Sequence, residues 1–257
     1  MKKVIVTLNI GQQYQNAWRK TCRRGWQAYC ERHGFDLINL DKRLDISERA
    51  NNRSPAWQKL LILSQDWSKD YDRVVWVDSD VLINPTAPSI IEDVPEEKIG
   101  CVDELTYPTP NDRKMIIAAK RASETDGDAE LFHTCVGLPA GGHSAIVQTG
   151  VMALSPKYHR ELFEHTYNAY EDPGPGFYYE MRFLSHEIQK AAVQHWISGK
   201  FNALLIWLAM AEIVKTGRQP RTKIEMGHFL MEQFFRNFFI HFAGHQDWMP
   251  IVGFIGG

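Results

Sequence analysis

The sequence predicts an α/β fold: a mainly parallel sheet with helices on both faces, followed by an elaborated helical C-terminal part. Three observations carry this expectation. Short apolar runs alternate with amphipathic stretches in the order β-α-β-α-β from Lys3 to Asp78, the order of a parallel sheet with crossover helices. One of those runs, Val74 to Val77, is apolar without alternation, as in a strand covered on both faces. From Pro156 to Arg236 helical patterning dominates.

Taken in order, Lys3 to Leu8 reads as the first strand. Gln15 to His33 reads as a helix with Trp18, Cys22, Trp26, Tyr29 and Cys30 along one face and Gly34 as its stop. Phe35 to Leu40 is the second strand. Ser54-Pro55 opens a helix over Ala56 to Trp67, and Arg73 to Asp78 is the third strand. Pro88 to Asp93 reads as a short helix and Lys98 to Val102 as a strand. From Asp103 to His143 periodicity fades into turn-rich sequence, with a short helix at Arg113 to Arg121. So long an irregular stretch in one domain is expected to be a lid or a binding loop. Ala145 to Leu154 resumes as a strand, and Pro156 to Tyr170 is a helix. After the break at Asp172-Pro173-Gly174-Pro175-Gly176, helices are expected at Tyr179 to Ile197, Phe201 to Lys215 and Met226 to Arg236. A final strand at Asn237 to Phe242 and a loose end at Gly253 to Gly257 complete the reading.

The chain has 257 residues, enough for one large domain with a substantial core. Its formal net charge of −2 gives no support for a general nucleic-acid or membrane-surface binder, so any phosphate recognition must be local. The four cysteines contain no CxxC pair, which argues against a zinc ribbon or redox motif. Cys22 and Cys30 are eight residues apart on one expected helix, too far to bond at a rise of about 1.5 Å per residue. Four reduced thiols in a reducing compartment are expected. The opening apolar run breaks at Asn9, as a strand does and a signal peptide does not. The run near Ala203 to Ala211 is about half of the ~20 residues that a membrane span needs. These features lead to the expectation of a cytoplasmic protein without a transmembrane segment.

The chemistry concentrates at Asp78-Ser79-Asp80, where the third strand ends. Ionised carboxylates are costly to leave without a partner. With one residue between them, these two can reach a common point at the carboxyl edge of the sheet, where open α/β sheets bind ligands. Hard oxygen ligands there suit Mg²⁺ or Mn²⁺, ions that hold nucleotide phosphates. The bland alternative is an acidic pair that only closes the strand. No GxGxxG follows the first strand and no GxxxxGK[ST] occurs, which removes a dinucleotide fingerprint and a P-loop.

The segment Tyr71-Asp72-Arg73-Val74-Val75-Trp76-Val77-Asp78-Ser79-Asp80, followed by Asn84-Pro85, resembles the Asp-x-Asp region of GT-A glycosyltransferases. The likeness is to their retaining galactosyl- and xylosyltransferase families. Further segments fit in order: Val4-Ile5-Val6-Thr7 as first strand, Trp57-Gln58-Lys59 opening the helix before the acidic pair, Gln148-Thr149-Gly150 as counterpart of an N-x-G strand, and His241-Phe242-Ala243-Gly244 as counterpart of a late H-F-x-G. The resemblance implies a single GT-A domain over residues 1–257. Residues 1–102 would form the nucleotide-sugar-binding half, 103–143 a lid, and 144–257 an acceptor half carrying the metal-binding His.

The same resemblance assigns roles. Asp78, Asp80 and His241 would ligate the metal; an imidazole beside two carboxylates suits Mn²⁺ better than Mg²⁺. Thr7, Asn9 and Tyr14 would receive the nucleobase and ribose, and Lys59, Ser79, Gln148, Gly244 and His245 would contact the rest of the donor. Each has a plain alternative: a satisfied core histidine for His241, a solvated helix face for Lys59, a loop residue for His245. Glu180 follows the aromatic stretch Phe177-Tyr178-Tyr179, suited to stacking on a sugar. Its carboxylate could stabilise positive charge or orient an acceptor hydroxyl. Glu187, seven residues on, would share that helix face and reads as solvated. The activity implied is transfer of a sugar from a nucleoside diphosphate sugar, UDP above others, to a glycan or other hydroxyl acceptor with retention. A nucleotidyltransferase is disfavoured because Thr7 to Gln15 contains one Gly and no Lys or Arg. A non-catalytic nucleotide-sugar-binding module is the remaining rival.

Overall fold

The computed structural model describes residues 1–220, 222–243 and 246–252. In chain order it comprises β1 (Lys3–Leu8), α1 (Gln12–Thr21), α2 (Arg23–His33), β2 (Asp36–Leu40), α3 (Glu48–Asn51), 3₁₀ segments over Pro55–Ser64 and Asp66–Asp70, β3 (Arg73–Val77), β4 (Val81–Ile83) and β5 (Ile99–Asp103). There follow α4 (Pro110–Ala118), α5 (Ala129–Thr134), β6 (Val147–Leu154), α6 (Pro156–Ala169), α7 (Met181–Lys190), β7 (Gln194–Trp196), β8 (Ala203–Leu204), α8 (Leu205–Thr216), α9 (Lys223–Arg236), β9 (Phe239–His241) and α10 (Met249–Val252).

Among these residues the strands form a six-stranded sheet, ordered β2-β1-β3-β6-β5-β7, and a three-stranded sheet, ordered β4-β9-β8. β1 lies parallel to β2 and β3, β5 lies parallel to β7, and β6 runs antiparallel to β3 and β5. The non-alternating apolar pattern now has its cause. Ile5, Val75, Val77, Val151 and Ala153 pack on one face with Trp18, Trp26 and Tyr29. Val4, Val6, Val74, Trp76, Met152 and Leu154 pack on the other with Trp57, Leu60, Ile62, Phe163 and Leu184. Side chains alternate between faces along a strand, and both faces are covered, so Val74 to Val77 are apolar at every position.

The small sheet is tied to the large one through α2. Trp26 Nε1 donates to the Val81 carbonyl at 2.7 Å. A Cβ at Gly25 would stand 2.5 Å from the Ile83 carbonyl oxygen, so only glycine lets α2 approach β4 this closely.

Several expectations need correction. The helix expected over Gln15 to His33 begins earlier and is divided at Cys22, although backbone hydrogen bonds continue on both sides of that residue. The segment after Ser54 is 3₁₀ and not α; it is buried on most sides, and an apolar pattern there does not separate three residues per turn from 3.6. Pro88 to Asp93 is a set of turns, and the strand β4 just before it was not anticipated. The short helix placed at Arg113 to Arg121 is α4, which starts at Pro110 under a Thr109 cap. The helix expected over Tyr179 to Ile197 stops at Lys190, where Ala192 turns with φ 51° and the chain joins the sheet edge as β7. The helix expected from Phe201 begins only at Leu205, after a 3₁₀ turn and β8. The expected loose end at Gly253 to Gly257 lies outside the described residues.

Candidate metal centre and donor cavity

β3 delivers Asp78 to the site. The Asp78 N–H donates to the Gly150 carbonyl at 2.8 Å, carrying the β3–β6 pairing one residue further. The Val81 N–H donates back to the Asp78 carbonyl at 3.2 Å, closing a tight turn through Ser79 and Asp80. β4 then pairs antiparallel with β9, with Val81 opposite His241. The Phe242 N–H donates to the Asp80 carbonyl at 3.0 Å. His241 thus reaches Asp80 by strand register, from the other end of the chain.

The His241 Nε2 lies 3.3 Å from Asp80 Oδ1 and 3.8 Å from Asp78 Oδ2. One ligand atom from each of the three residues falls within 4.8 Å of the others. Ligands about 2.1 Å from an octahedral cation stand roughly 3 Å apart when adjacent and roughly 4.2 Å apart when opposite. Both His241 separations fall in that range, so two carboxylates and an imidazole form a candidate divalent-metal site. Burial would lower the His241 pKa, but Asp80 and then Asp78 outweigh it and hold the ring above its ordinary value. The ring also packs against backbone: a Cβ at Gly150 would stand 2.3 Å from His241 Cε1. This is the close approach that a glycine inside an apolar strand foretells.

Lys59 is buried, not on a solvated face. Its Nζ lies 3.1 Å from Asp78 Oδ1 and 2.9 Å from Glu180 Oε1. Burial opposes its charge, yet Asp78 and Glu180 more than compensate and raise its pKa. Glu180 is 2% exposed. Burial raises its pKa, and Lys59 draws it back without cancelling the rise. The Thr149 hydroxyl donates to Glu180 Oε1 at 3.1 Å, and Trp76 Nε1 donates to Asp78 Oδ1 at 2.8 Å. The preceding residues Tyr178 and Tyr179 both have left-handed backbone, with φ 61° and 52°. Such conformations in bulky residues hold only where the surroundings enforce them.

A cavity of about 740 Å³ opens over these groups. Tyr14, Lys59, Asp78, Ser79, Asp80, Gln148, Glu180 and His241 all line it. Thr7 and Asn9 do not: they alternate with Leu8 and Ile10, which do, and both are fully buried. Gly244 and His245 lie outside the described residues. Gln148 faces the cavity with its oxygen turned inward, accepting from the Gly150 N–H at 2.6 Å and from Asn202 Nδ2 at 2.9 Å. Glu187 departs from the expectation of a solvated carboxylate. It is buried, accepts a hydrogen bond from the Tyr170 hydroxyl and pairs with Lys190.

Sequence reasoning missed Asn202, whose Oδ1 lies 2.9 Å from His241 Nδ1. A signal existed: an Asn inside the apolar run Phe201 to Trp207 must find partners if buried. It also missed Glu104, Arg113 and Trp207. Trp207 Nε1 donates to Glu104 at 2.9 Å, both residues line the cavity, and Arg113 contacts each of them.

No family model matches the chain, and no curated protein matches its sequence. Solved structures do. A glycosyltransferase involved in glycosylation of the major capsid of PBCV-1 superposes with TM-score 0.57 at 15% identity, over 98% of this chain and 100% of the other. The bifunctional glycosyltransferase WbbM superposes with TM-score 0.54 at 13% identity, over 98% of this chain and 49% of the other. The galactosyltransferase LgtC, solved with donor and acceptor sugar analogues, superposes with TM-score 0.51 at 13% identity, over 98% of this chain and 95% of the other. At such identities the likeness defines architecture: the chain has the GT-A fold in which these glycosyltransferases are built.

Proposed function

We propose that the protein is a metal-dependent glycosyltransferase that moves a sugar from a nucleoside diphosphate sugar to a hydroxyl of a glycan or similar acceptor. One observation carries this reading: Asp78, Asp80 and His241 converge on a single point at the floor of a cavity of about 740 Å³, beside the buried Lys59–Glu180 pair. UDP as the nucleotide and retention of anomeric configuration follow from the motif resemblance.

Asp78, Asp80 and His241 would hold the cation, Mn²⁺ in preference to Mg²⁺ for this donor set. A cation held there supplies Lewis-acid stabilisation of the departing diphosphate. The protein's own residues do the rest. Lys59 keeps Asp78 and Glu180 in one fixed arrangement, so neither carboxylate reorganises as charge develops. The Glu180 carboxylate lies under the cavity, where it stabilises positive charge growing at the anomeric carbon or orients the incoming hydroxyl. Tyr14, half exposed at the cavity edge, offers a stacking face for the base. Ser79 and Gln148 present hydrogen-bonding groups to the donor. Residues 1–102 hold the donor, and residues 144–257 supply the acceptor side. The segment 103–143 would serve as the lid, a role supported by Glu104, Arg121 and Asp126 lining the cavity.

The test is release of nucleoside diphosphate from a panel of nucleotide sugars, with Mn²⁺ and with EDTA. Slow, EDTA-sensitive release from one sugar is expected. His241→Ala should fold and lose metal-dependent release; full activity in that variant removes His241 from the site. No release and no nucleotide binding across the panel would favour the binding module instead.

A further inference from the structure

His241 can carry its proton on either ring nitrogen when neutral, and only Nε2 faces the two carboxylates. Which nitrogen is protonated follows from a backbone amide. The Gly150 N–H can only donate, so the Gln148 atom 2.6 Å from it is the amide oxygen. That oxygen also lies 2.9 Å from the Asn202 side chain. An oxygen requires a donor there, so the Asn202 nitrogen faces Gln148. The Asn202 oxygen is therefore the atom 2.9 Å from His241 Nδ1, and it requires an N–H on that nitrogen. Asn202 is fully buried, and Gln148 and His241 nearly so, which leaves little water to satisfy any other arrangement.

We propose that Gln148 and Asn202 are positioning residues that relay the polarity of the Gly150 N–H to His241. They hold Nδ1 protonated against the pull of Asp80 and Asp78 on Nε2, so that the neutral ring keeps its Nε2 lone pair for a cation. This rests on reading those three residues as the metal centre. It deepens that reading by making the preference for one tautomer a property of the metal-free protein. Ligating histidines are generally held by a partner on the other ring nitrogen, and losing that partner weakens metal affinity about 10–100-fold. Here the partner is itself held, and the chain of fixed orientations ends in main chain. The geometry also divides Gln148: its oxygen serves the relay, and its Nε2, 4.0 Å from Met181 Sδ, is the part left to donate to a ligand.

Two measurements test this. The first is the long-range ¹H–¹⁵N spectrum of ¹⁵N-histidine-labelled, metal-free protein, at a pH high enough to leave His241 neutral. Protonation at Nδ1 is expected for the wild type. The second is Mn²⁺ affinity from the paramagnetic resonance of the free ion. Asn202→Leu should populate the Nε2-protonated tautomer and weaken Mn²⁺ binding about 10–100-fold. Gln148→Met should move both readouts in the same direction, because Asn202 is then free to flip. Gln148→Glu keeps an acceptor oxygen and should retain the wild-type tautomer. A packing role alone would not move the tautomer. Unchanged tautomer and affinity in Asn202→Leu overturn the relay. If that variant does not fold, the wild-type spectrum and Gln148→Met decide the matter. The two readings fail differently. A wild type that binds no Mn²⁺ removes the metal centre and this role with it. Mn²⁺ binding by a protein whose metal-free His241 is protonated at Nε2 overturns the relay alone.

Discussion

Removing the Lys59 ammonium would leave Glu180 buried beside Asp78 with no counter-charge. Breaking a buried ion pair from one side costs about 3–5 kcal/mol, whereas removing both charges is far milder. Lys59→Met is therefore expected to lose about that much stability in urea unfolding. Lys59→Met with Glu180→Gln should recover part of the loss, with a coupling of roughly 0.5–3 kcal/mol. A double variant no more stable than Lys59→Met would show that the pair is not energetically linked. Residues with a fixed chemical meaning were legible in the sequence at this scale. Asp78 and Asp80 stood out by type and spacing and His241 by resemblance to H-F-x-G, and the structure brings the three together. Lys59 was harder to place, because a Lys on a helix is ordinarily solvated and nothing local shows that two carboxylates from other elements surround it. Asn202 was missed because an amide gains meaning only from its partners, and those come from strands far away in sequence.

At the scale of elements, α7 ends where the sequence shows no stop signal. Ala192 adopts φ 51° and is exposed, and Lys98 Nζ donates to its carbonyl at 2.7 Å. A non-glycine residue in left-handed backbone costs roughly 1–2 kcal/mol, partly offset by the greater freedom of glycine when unfolded. Ala192→Gly is accordingly expected to stabilise the protein by about 0.5–1 kcal/mol, read as a higher midpoint in thermal unfolding. A lower midpoint would mean that Ala192 is not strained. The same residue explains why the helix expected to reach Ile197 does not: β7 gains more from pairing with β5 than the helix gains from propensity, and patterning cannot register that choice. β1, β3 and β6 were readable because each is buried on both faces. β4 and β9 are three residues long. They owe their existence to each other, so only the longer apolar stretch around β9 was visible.

For the whole molecule, pH dependence has opposing contributors. His133 and His159 are buried, and burial pushes both from an ordinary 6.5 to about 4. Between pH 6.5 and about 4 the unfolded chain binds protons there that the folded chain does not, so stability falls as pH falls through that window. At pH 5 this amounts to roughly 2 kcal/mol for each group. The raised pKa values of Glu104 and Glu180 act the other way, since the folded protein takes up those protons first. The clean measurement is therefore the difference between wild type and the His133→Gln, His159→Gln double variant. The wild type should lose more stability than the variant on going from pH 7.5 to pH 5. Parallel behaviour would show that neither histidine is held neutral. The pairing of Val81 with His241 reaches further than the site. Residues far apart in the chain meet there, and Asp78 stands at the end of β3, so an ion gripped by Asp78, Asp80 and His241 would rivet the small sheet to the large one. Its binding energy would then count toward assembly. A nascent chain could display its acidic pair from early on and still be unable to retain an ion, until β9 had docked and the molecule had, in effect, certified its own maturation.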